Sequence, residues 1–296
     1  MNKKVGIKMK KESTKEFVVK ELDTLLNFLY KNVENKSKNN IKSLLKNKNI
    51  LVNNVNQTQF DFKLNKNDIV KIQMSQINTR LKNNIDIIYE DDEIIVINKP
   101  HNLLSISTEK EKEFTAYKMV MTYLKSKNKN NKVFVIHRLD KATSGILMFA
   151  KDEKTKHVFQ DNWNESIISR KYYAIIEGKL EKKEGKIESF LKENKSFNVY
   201  SDKSGKLAVT NYKVIKFNKD YSLLDINIET GRKNQIRVHL QDIKHPIVGD
   251  KKYSSTNNYL KRLGLHAYKL ELNHPITKKK LSFETQLPIE FRKMFK

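Results

Sequence analysis

Residues 133–151 constrain this chain most. Val133 to Ile136 is an apolar run ending at His137, a dense polar turn follows, and Ile146 to Ala150 is a second apolar run. Short apolar runs bounded by turn residues predict two strands around a polar turn. Asp140 sits in that turn between Arg138 and Lys141. Cations on both sides favour the ionised carboxylate. Taken alone, such an Asp reads as a turn cap that hydrogen-bonds its own backbone. On a turn presented by strands it also reads as a group placed for chemistry.

The surrounding residues bear on that choice. His137 to Lys151 carries the complete pattern HRLDxxTSGxxxxAK. Arg170 to Gly178 looks like a KxYxAxxxG block, and Thr230 to Leu240 like TGRTHQIRVHL. Pro246 to Asp250 and Leu265 to Ala267 follow in order, and Tyr89 to Asp92 with Asn98 to Pro100 precede them. This ordered set resembles the RluA-type RNA pseudouridine synthases, from about residue 85 to near the C-terminus. Several blocks in one order are far more specific than any single motif. Three positions depart from the pattern: Lys233-Asn234 replaces the usual Thr-His, and Asn102 stands where a Gly often follows Lys-Pro.

The resemblance implies an isomerase that breaks the C1′–N bond of uridine in structured RNA and rejoins the uracil through carbon. No redox step occurs, so no cofactor is required. Asp140 is the candidate catalytic carboxylate; whether it attacks the sugar, attacks the ring or removes a ribose proton is open. Arg237 is the candidate ion-pair partner, with Arg232 the alternative. Both could instead lie on a helix face that grips phosphates. Tyr172 matches the active-site tyrosine, whose ring can stack on a flipped uracil; a core strand tyrosine is the other reading, and Tyr173 fits that better. Arg138 is expected to contact RNA or fill the gap left by an extruded base, with a structural ion pair the other reading. His137 is expected to order the loop rather than act in catalysis. Thr143 and Ser144 are expected to satisfy turn amides, and Gly145 to permit close backbone approach.

Residues 1–15 are polar and are expected to be loosely ordered. A small unit is expected over 16–74. Leu25, Leu26, Phe28 and Leu29 suggest one helix, and Ile41, Leu44 and Leu45 another. Ile50 to Val52 reads as a strand running into the turn Asn53-Asn54, and Ile69, Val70 and Ile72 as a closing strand. Lys36, Lys38, Lys42 and Lys46 flank the second helix and could line an RNA backbone. This unit resembles the S-four-like RNA-binding domain, although Lys48 and Asn54 replace two expected glycines; the other reading is a generic αβ appendage. Residues 75–84 read as a linker.

The catalytic domain is expected over 85–296. Ile85 to Ile88 and Ile94 to Ile97 form a hairpin that Pro100 stops. Tyr117, Val120, Met121 and Leu124 share a helix face, and Lys154 to Trp163 suggests another helix. Tyr172 to Ile176 reads as a strand stopping at Gly178. Leu224, Ile226 and Ile228 alternate with polar residues, so one face of that strand is buried. Arg232 to Gln241 is predicted helical with Ile236 and Leu240 inward, and Leu265 to Leu272 and Lys280 to Glu284 supply late strands. Several strands with short helices between them argue for an α+β fold with a mixed, mainly antiparallel sheet.

Composition narrows the partners. Over 296 residues there are 59 Lys+Arg against 34 Asp+Glu, a formal charge of +25. Lys/Asn-rich runs such as 125–132 reflect composition bias and account for part of this. The remainder predicts salt-sensitive binding to a polyanion, with ribosomal RNA the first expectation and tRNA the second. The absence of cysteine excludes disulfides, thiolate nucleophiles and Cys-ligated zinc. Seven scattered histidines give no HExxH-like pair, so no metal site is expected. No apolar stretch has the length of a membrane span, and the basic start of the chain lacks an apolar core. A cytoplasmic monomer is the expectation. A catalytically inactive RNA-binding assembly factor is the main rival, set against the intact Asp140, Tyr172 and Arg237. A DNA-binding protein lacks the helix-turn-helix pattern it would need.

Overall fold

The computed structural model describes residues 14–33, 38–46, 49–73, 85–109 and 111–295. The chain divides into two compact units, Met1–Asn84 and Ile85–Lys296.

In the smaller unit, β1 (Thr14–Val18), β3 (Ile50–Val52), β4 (Val55–Asn56) and β6 (Ile69–Gln73) form a sheet in the order β1-β6-β3-β4, while β2 (Asp23–Thr24) pairs with β5 (Lys63–Leu64). Helices α1 (Leu25–Asn32) and α2 (Lys38–Lys46) share a core with the sheet, built from Leu25, Leu29, Ile41, Leu45, Ile50 and Ile72. The first strand begins at Thr14, inside the segment expected to be loose, and pairs with β6 along its whole length. The β3–β4 turn holds Asn53 and Asn54 with φ of 49° and 67°. Asn tolerates that left-handed region without glycine. Lys48 and the 75–84 linker lie outside the described residues.

In the larger unit the strands are β7 (Asp86–Glu90), β8 (Ile94–Lys99), β9 (Phe134–Val135), β10 (Ser144–Ala150), β11 (Ile167–Glu177), β12 (Glu184–Glu193), β13 (Val199–Ser201), β14 (Lys206–Phe217), β15 (Tyr221–Ile228), β16 (Leu265–Asn273) and β17 (Lys280–Glu284). They make an eleven-stranded sheet ordered β13-β12-β14-β15-β11-β16-β10-β8-β7, with β17 on β16 and β9 on β10. Of the strand pairings, β10 with β16 is parallel and the others are antiparallel. The fold is α+β with a mixed, mostly antiparallel sheet.

All seven residues of β10 are buried. Five of them are Ile146, Leu147, Met148, Phe149 and Ala150, and each large side chain removed from water contributes roughly 1.5–3 kcal/mol. This strand anchors the Asp140 turn. Gly145 has φ +114°, and a Cβ there would lie 2.1 Å from the Ala267 carbonyl oxygen. Only glycine lets β10 and β16 meet at this point.

Several boundaries differ from expectation for local reasons. The predicted 154–163 helix is two helices, α4 (Glu153–Asp161) and α5 (Trp163–Ser166), broken at Asn162, which leaves helical geometry. Asp152 caps α4 by accepting from the Thr155 N–H at 2.8 Å. Thr115 caps α3 (Ala116–Lys127) by accepting from Lys118. Residues 232–234 are not helical: α6 is Gln235–Asp242, and Asn234 before it has φ +54°. Near the C-terminus, α7 (Ile289–Lys293) packs Phe291 against Ile175 and Leu223. Strands β12 and β14 escape sequence reading because large apolar side chains, among them Phe190, Leu207, Ile215 and Phe217, stand exposed on them and blur the alternation, and because the arm they form reaches the sheet edge. Among the described residues no helix is long and apolar enough to cross a membrane.

Candidate active site

The Asp140 turn is fixed from behind. Ser105 is buried, and its hydroxyl donates to the Leu139 carbonyl at 2.7 Å while accepting the Leu139 N–H at 3.0 Å. Thr143 N–H donates to the Asp140 carbonyl at 3.1 Å and closes the turn. The fully buried Lys99 donates to the carbonyls of Pro100 (3.1 Å), Leu103 (2.8 Å) and Lys141 (3.3 Å). Two residues distant in sequence, Ser105 and Lys99, together with the local Thr143 bond thus determine where the Asp140 side chain emerges.

The start of α6 faces this turn. Gln235 Oε1 accepts from Thr230 Oγ1 (2.8 Å) and the Arg232 N–H (3.0 Å), and Gln235 Nε2 donates to Val209 O (2.9 Å) and Thr210 Oγ1 (3.0 Å). The helix is therefore pinned to β14 before its first turn. Arg237 then projects toward Asp140, with Nη1 3.4 Å from Oδ2. The shorter contacts of Arg237 go elsewhere: Nε and Nη2 each lie 2.7 Å from a different oxygen of Asp250, a fork-to-fork pair. Nη1 also donates to Asn234 Oδ1 at 3.0 Å, and the Asn234 amide donates to the Tyr253 hydroxyl at 2.9 Å. The Asp250 side chain is 1% exposed, Arg237 12% and Asp140 30%. Burial works against the charge of Arg237, but Asp250, with Asp140 adding, holds it above its ordinary value. Asp250 orients the guanidinium, and one nitrogen remains for the more exposed carboxylate.

Tyr172 lies on β11 opposite Ile226 of β15 and Ala267 of β16. It lines the same cleft of about 840 Å³ as Asp140 and Arg237. Burial raises its phenol above the usual tyrosine range, so it is a neutral ring with a hydroxyl donor. Tyr173 points to the opposite face and stacks on Tyr268 with centroids 3.8 Å apart. Ile136, Ile228 and Leu270 add apolar wall, and Arg138, Arg170, Arg232 and Lys233 give the cleft a basic character. A carboxylate–guanidinium pair beside an aromatic ring, in a cationic cleft of this size, suits one flat base on a polyanion.

The sequence of residues 93–242 matches the family model described as RNA pseudouridylate synthase. An RNA pseudouridine synthase of Bacillus subtilis is 34% identical over 214 residues, spanning 71% of each chain. The chain belongs to the RNA pseudouridine synthase family. Ribosomal large subunit pseudouridine synthase D of Borreliella burgdorferi is 36% identical over 68% of this chain and 65% of that protein. The corresponding synthase C of Rickettsia felis is 34% identical over 71% and 70%. Among solved structures, human RNA pseudouridylate synthase domain containing 4 superposes with a TM-score of 0.60 at 25% identity, over 74% of this chain and 95% of that one. The synthase is accordingly an RNA-modifying isomerase.

The structure places the other expected residues of the synthase as follows. Arg232 is exposed at the rim, where its Nε donates to Leu207 O at 2.9 Å; it does not pair with Asp140. Arg138 is exposed on the cleft wall, and no ion pair to it is found among the described residues. His137 accepts the Met148 N–H at 3.1 Å through Nε2, and burial, with Arg170 nearby, pushes its pKa down to about 4. It is a neutral hydrogen-bond acceptor that ties the loop to β10. Ser144 does not cap the turn: its hydroxyl joins His266 Nδ1 at 2.7 Å and Arg262. Lys42 and Lys46 are exposed on α2; Lys36 and the Lys38 side chain lie outside the described residues.

Asp250 and Lys99 were missed as site residues. Asp250 follows Pro246-Ile247-Val248-Gly249. A carboxylate at the end of an apolar run is buried, and a buried charge needs a partner; that was the available signal. Among the described residues, Asp91, Glu93 and His274 have ligand atoms within 4.8 Å of one another. His274 Nδ1 accepts the N–H of Thr277 at 3.0 Å, so Nε2 carries the hydrogen and faces Asp91 at 3.1 Å. That trio is a hydrogen-bonded pairing without a free nitrogen for a metal.

Burial pushes Lys99 from 10.5 down to about 7, against the pull of Asp140, with the charge of Arg262 adding. Between those values the unfolded chain binds a proton that the folded protein has released. Stability attributable to this group therefore rises with pH across the window. Lys99→Met should flatten that rise and lower the melting temperature, because the Leu103 and Lys141 carbonyls lose their donor. Melting curves from pH 6 to 10 test this; parallel profiles for both proteins would remove Lys99 from the linkage.

Proposed function

We propose that the protein isomerises specific uridines of large-subunit ribosomal RNA, with Asp140 as the catalytic carboxylate. The observation that carries the reading is the convergence of Asp140, Arg237 and Tyr172 on one cleft, with Arg237 clamped by Asp250. An RNA-binding protein without activity has no use for a buried guanidinium held with one nitrogen aimed at a half-exposed carboxylate. Two relatives named ribosomal large subunit pseudouridine synthases support that RNA as the substrate.

In the reaction the C1′–N1 bond breaks, the uracil turns, and a C1′–C5 bond forms. The C5 hydrogen leaves as a proton and N1 gains one. Asp140 manages the charge at the detached sugar or ring, as nucleophile or base. Arg237 keeps that carboxylate oriented, Tyr172 stacks on the flipped base, and Arg138 at the wall fills or braces the gap left in the RNA. An unmodified large-subunit transcript carrying 5-tritiated uridine tests the proposal: turnover releases tritium to water at defined positions. Release from tRNA and not from this transcript would reassign the substrate, and release from neither would end the reading.

The smaller unit is proposed to grip RNA backbone, in the manner of an S-four-like domain, through Lys42 and Lys46 on α2. Removing the residues up to Asn84 should weaken RNA binding and flatten its salt dependence, each lost phosphate contact reducing the log–log slope by roughly 0.7–0.9. Turnover on excess RNA should persist. A truncated, folded protein with unchanged affinity and slope would show that the unit does not bind RNA.

A further inference from the structure

Phe197 stands out among the residues that the reaction does not use. It is 70% exposed at the tip of the turn between β12 and β13. Its φ is +60°, and it is the single aromatic among the described residues with positive φ outside glycine. The left-handed region is disfavoured for a bulky side chain and easy for asparagine. Asparagines flank this turn at 194 and 198, yet the tip is Phe197. The turn is also tightly built: Asn194 Oδ1 accepts the N–H groups of Ser196 and Asn198, each at 3.0 Å, and Phe197 N–H donates to Asn194 O at 2.9 Å. The ring is therefore held outward by a rigid loop at a conformational cost.

Its surroundings are cationic and continuous with the active cleft. Lys233, a cleft-lining residue, sits with Nζ 5.3 Å from the Phe197 ring centroid and pairs with Glu193. Lys252 Nζ donates to the Phe197 carbonyl at 3.0 Å and lies 5.7 Å from the Tyr253 ring. The guanidinium of Arg237 lies 4.8 Å from that same ring. Lys195, in the turn itself, is exposed. One apolar ring among lysines, tied through Tyr253 to the arginine that faces Asp140, matches how single-stranded nucleic acid is held. Bases stack on aromatic faces while cations track the phosphates.

We propose that Phe197 is a stacking platform for an unpaired base of the substrate RNA, next to the uridine being modified, and that Lys252 and Lys195 hold the adjoining phosphates. This rests on the proposed RNA isomerase activity and adds a second base-binding position outside the catalytic cleft. A platform of this kind favours targets in loops or opened helices over continuous duplex, because a base in an intact stack has no free face to offer.

The test uses full-length Phe197→Asn and Phe197→Trp with the unmodified large-subunit transcript. Asn accepts the left-handed backbone and removes the ring, so the turn is kept. Phe197→Asn should raise Kd and KM by roughly ten-fold, the loss expected for one base–aromatic stack. The slope of log affinity against log salt should stay as in the wild type, because no charge is removed. Phe197→Trp should bind as the wild type does. Lys252→Gln should instead lower the slope, by roughly 0.7–0.9. Unchanged affinity of Phe197→Asn, a changed slope in that variant, or a Trp variant as weak as the Asn one would each overturn the stacking role. A wild-type protein that forms no pseudouridine in any RNA would instead defeat the underlying functional reading, whatever Phe197 does.

Discussion

Asp140→Asn is expected to reduce tritium release by at least roughly 10³-fold while RNA affinity stays near that of the wild type. The amide keeps the shape and an oxygen for Arg237 Nη1, but it is neither base nor nucleophile. The fold should survive. Arg237 retains its two 2.7 Å contacts to Asp250, so no uncompensated buried charge is created. Asp140 is itself 30% exposed with a contact of 3.4 Å, and such a pair contributes little to stability. Loss of activity without loss of melting temperature or binding is the signature of a group that acts only in the reaction. Turnover by the Asn variant at the wild-type rate would remove Asp140 from the mechanism.

Asp250→Ala should damage both stability and activity. It strips a buried guanidinium of the partner that neutralises it, and removing one member of a buried pair costs about 3–5 kcal/mol. For a unit of this size each kcal/mol lowers the melting temperature by roughly 2–4 °C, so a fall of roughly 6–20 °C is expected. Activity should fall further than unfolding explains, because a freed Arg237 can turn its fork onto Asp140 and occupy that carboxylate. The double variant Arg237→Met with Asp250→Val separates the two effects. It should recover much of the stability, since two apolar residues need no pairing, and none of the activity. An Asp250→Ala protein with wild-type melting and rate would show that Arg237 is positioned by something other than this clamp.

Much of this was legible along the chain. The apolar runs of β8 and β10 have few alternatives to buried strands, and the clean alternation of β15 dictates which face meets α6. The polar turn between two such runs isolated Asp140, and block order pointed to Tyr172 and Arg237. Misplaced boundaries trace to single residues. Asn234 takes a left-handed conformation, which starts α6 three residues later than the apolar spacing predicts, and Asn162 splits the helix before β11. The β12–β14 arm was not legible because a strand pattern fades where apolar side chains such as Phe190, Ile215 and Phe217 stand on the exposed face and the strands lie toward the sheet edge.

Local sequence thus determined the elements and the polar turn that carries Asp140, since propensity, alternation and turn chemistry act over a few residues. Tertiary structure decided everything that depends on pairing across space. Arg237 and Asp140 are 97 residues apart, Lys99 and Lys141 are 42 apart, and Ser105 and Leu139 are 34 apart. Arg237 and Arg232 look equivalent in sequence. In the fold one is locked between two carboxylates and the other lies on a strand carbonyl at the rim, because Arg232 precedes the Asn234 turn whereas Arg237 lies on α6, which the Gln235 pin holds so that Arg237 reaches Asp140. Burial decided the rest. It withholds the proton from His137, lowers Lys99 toward neutrality and leaves Phe197 in solvent, and the local sequence around these residues carries no measure of how much water each will lose.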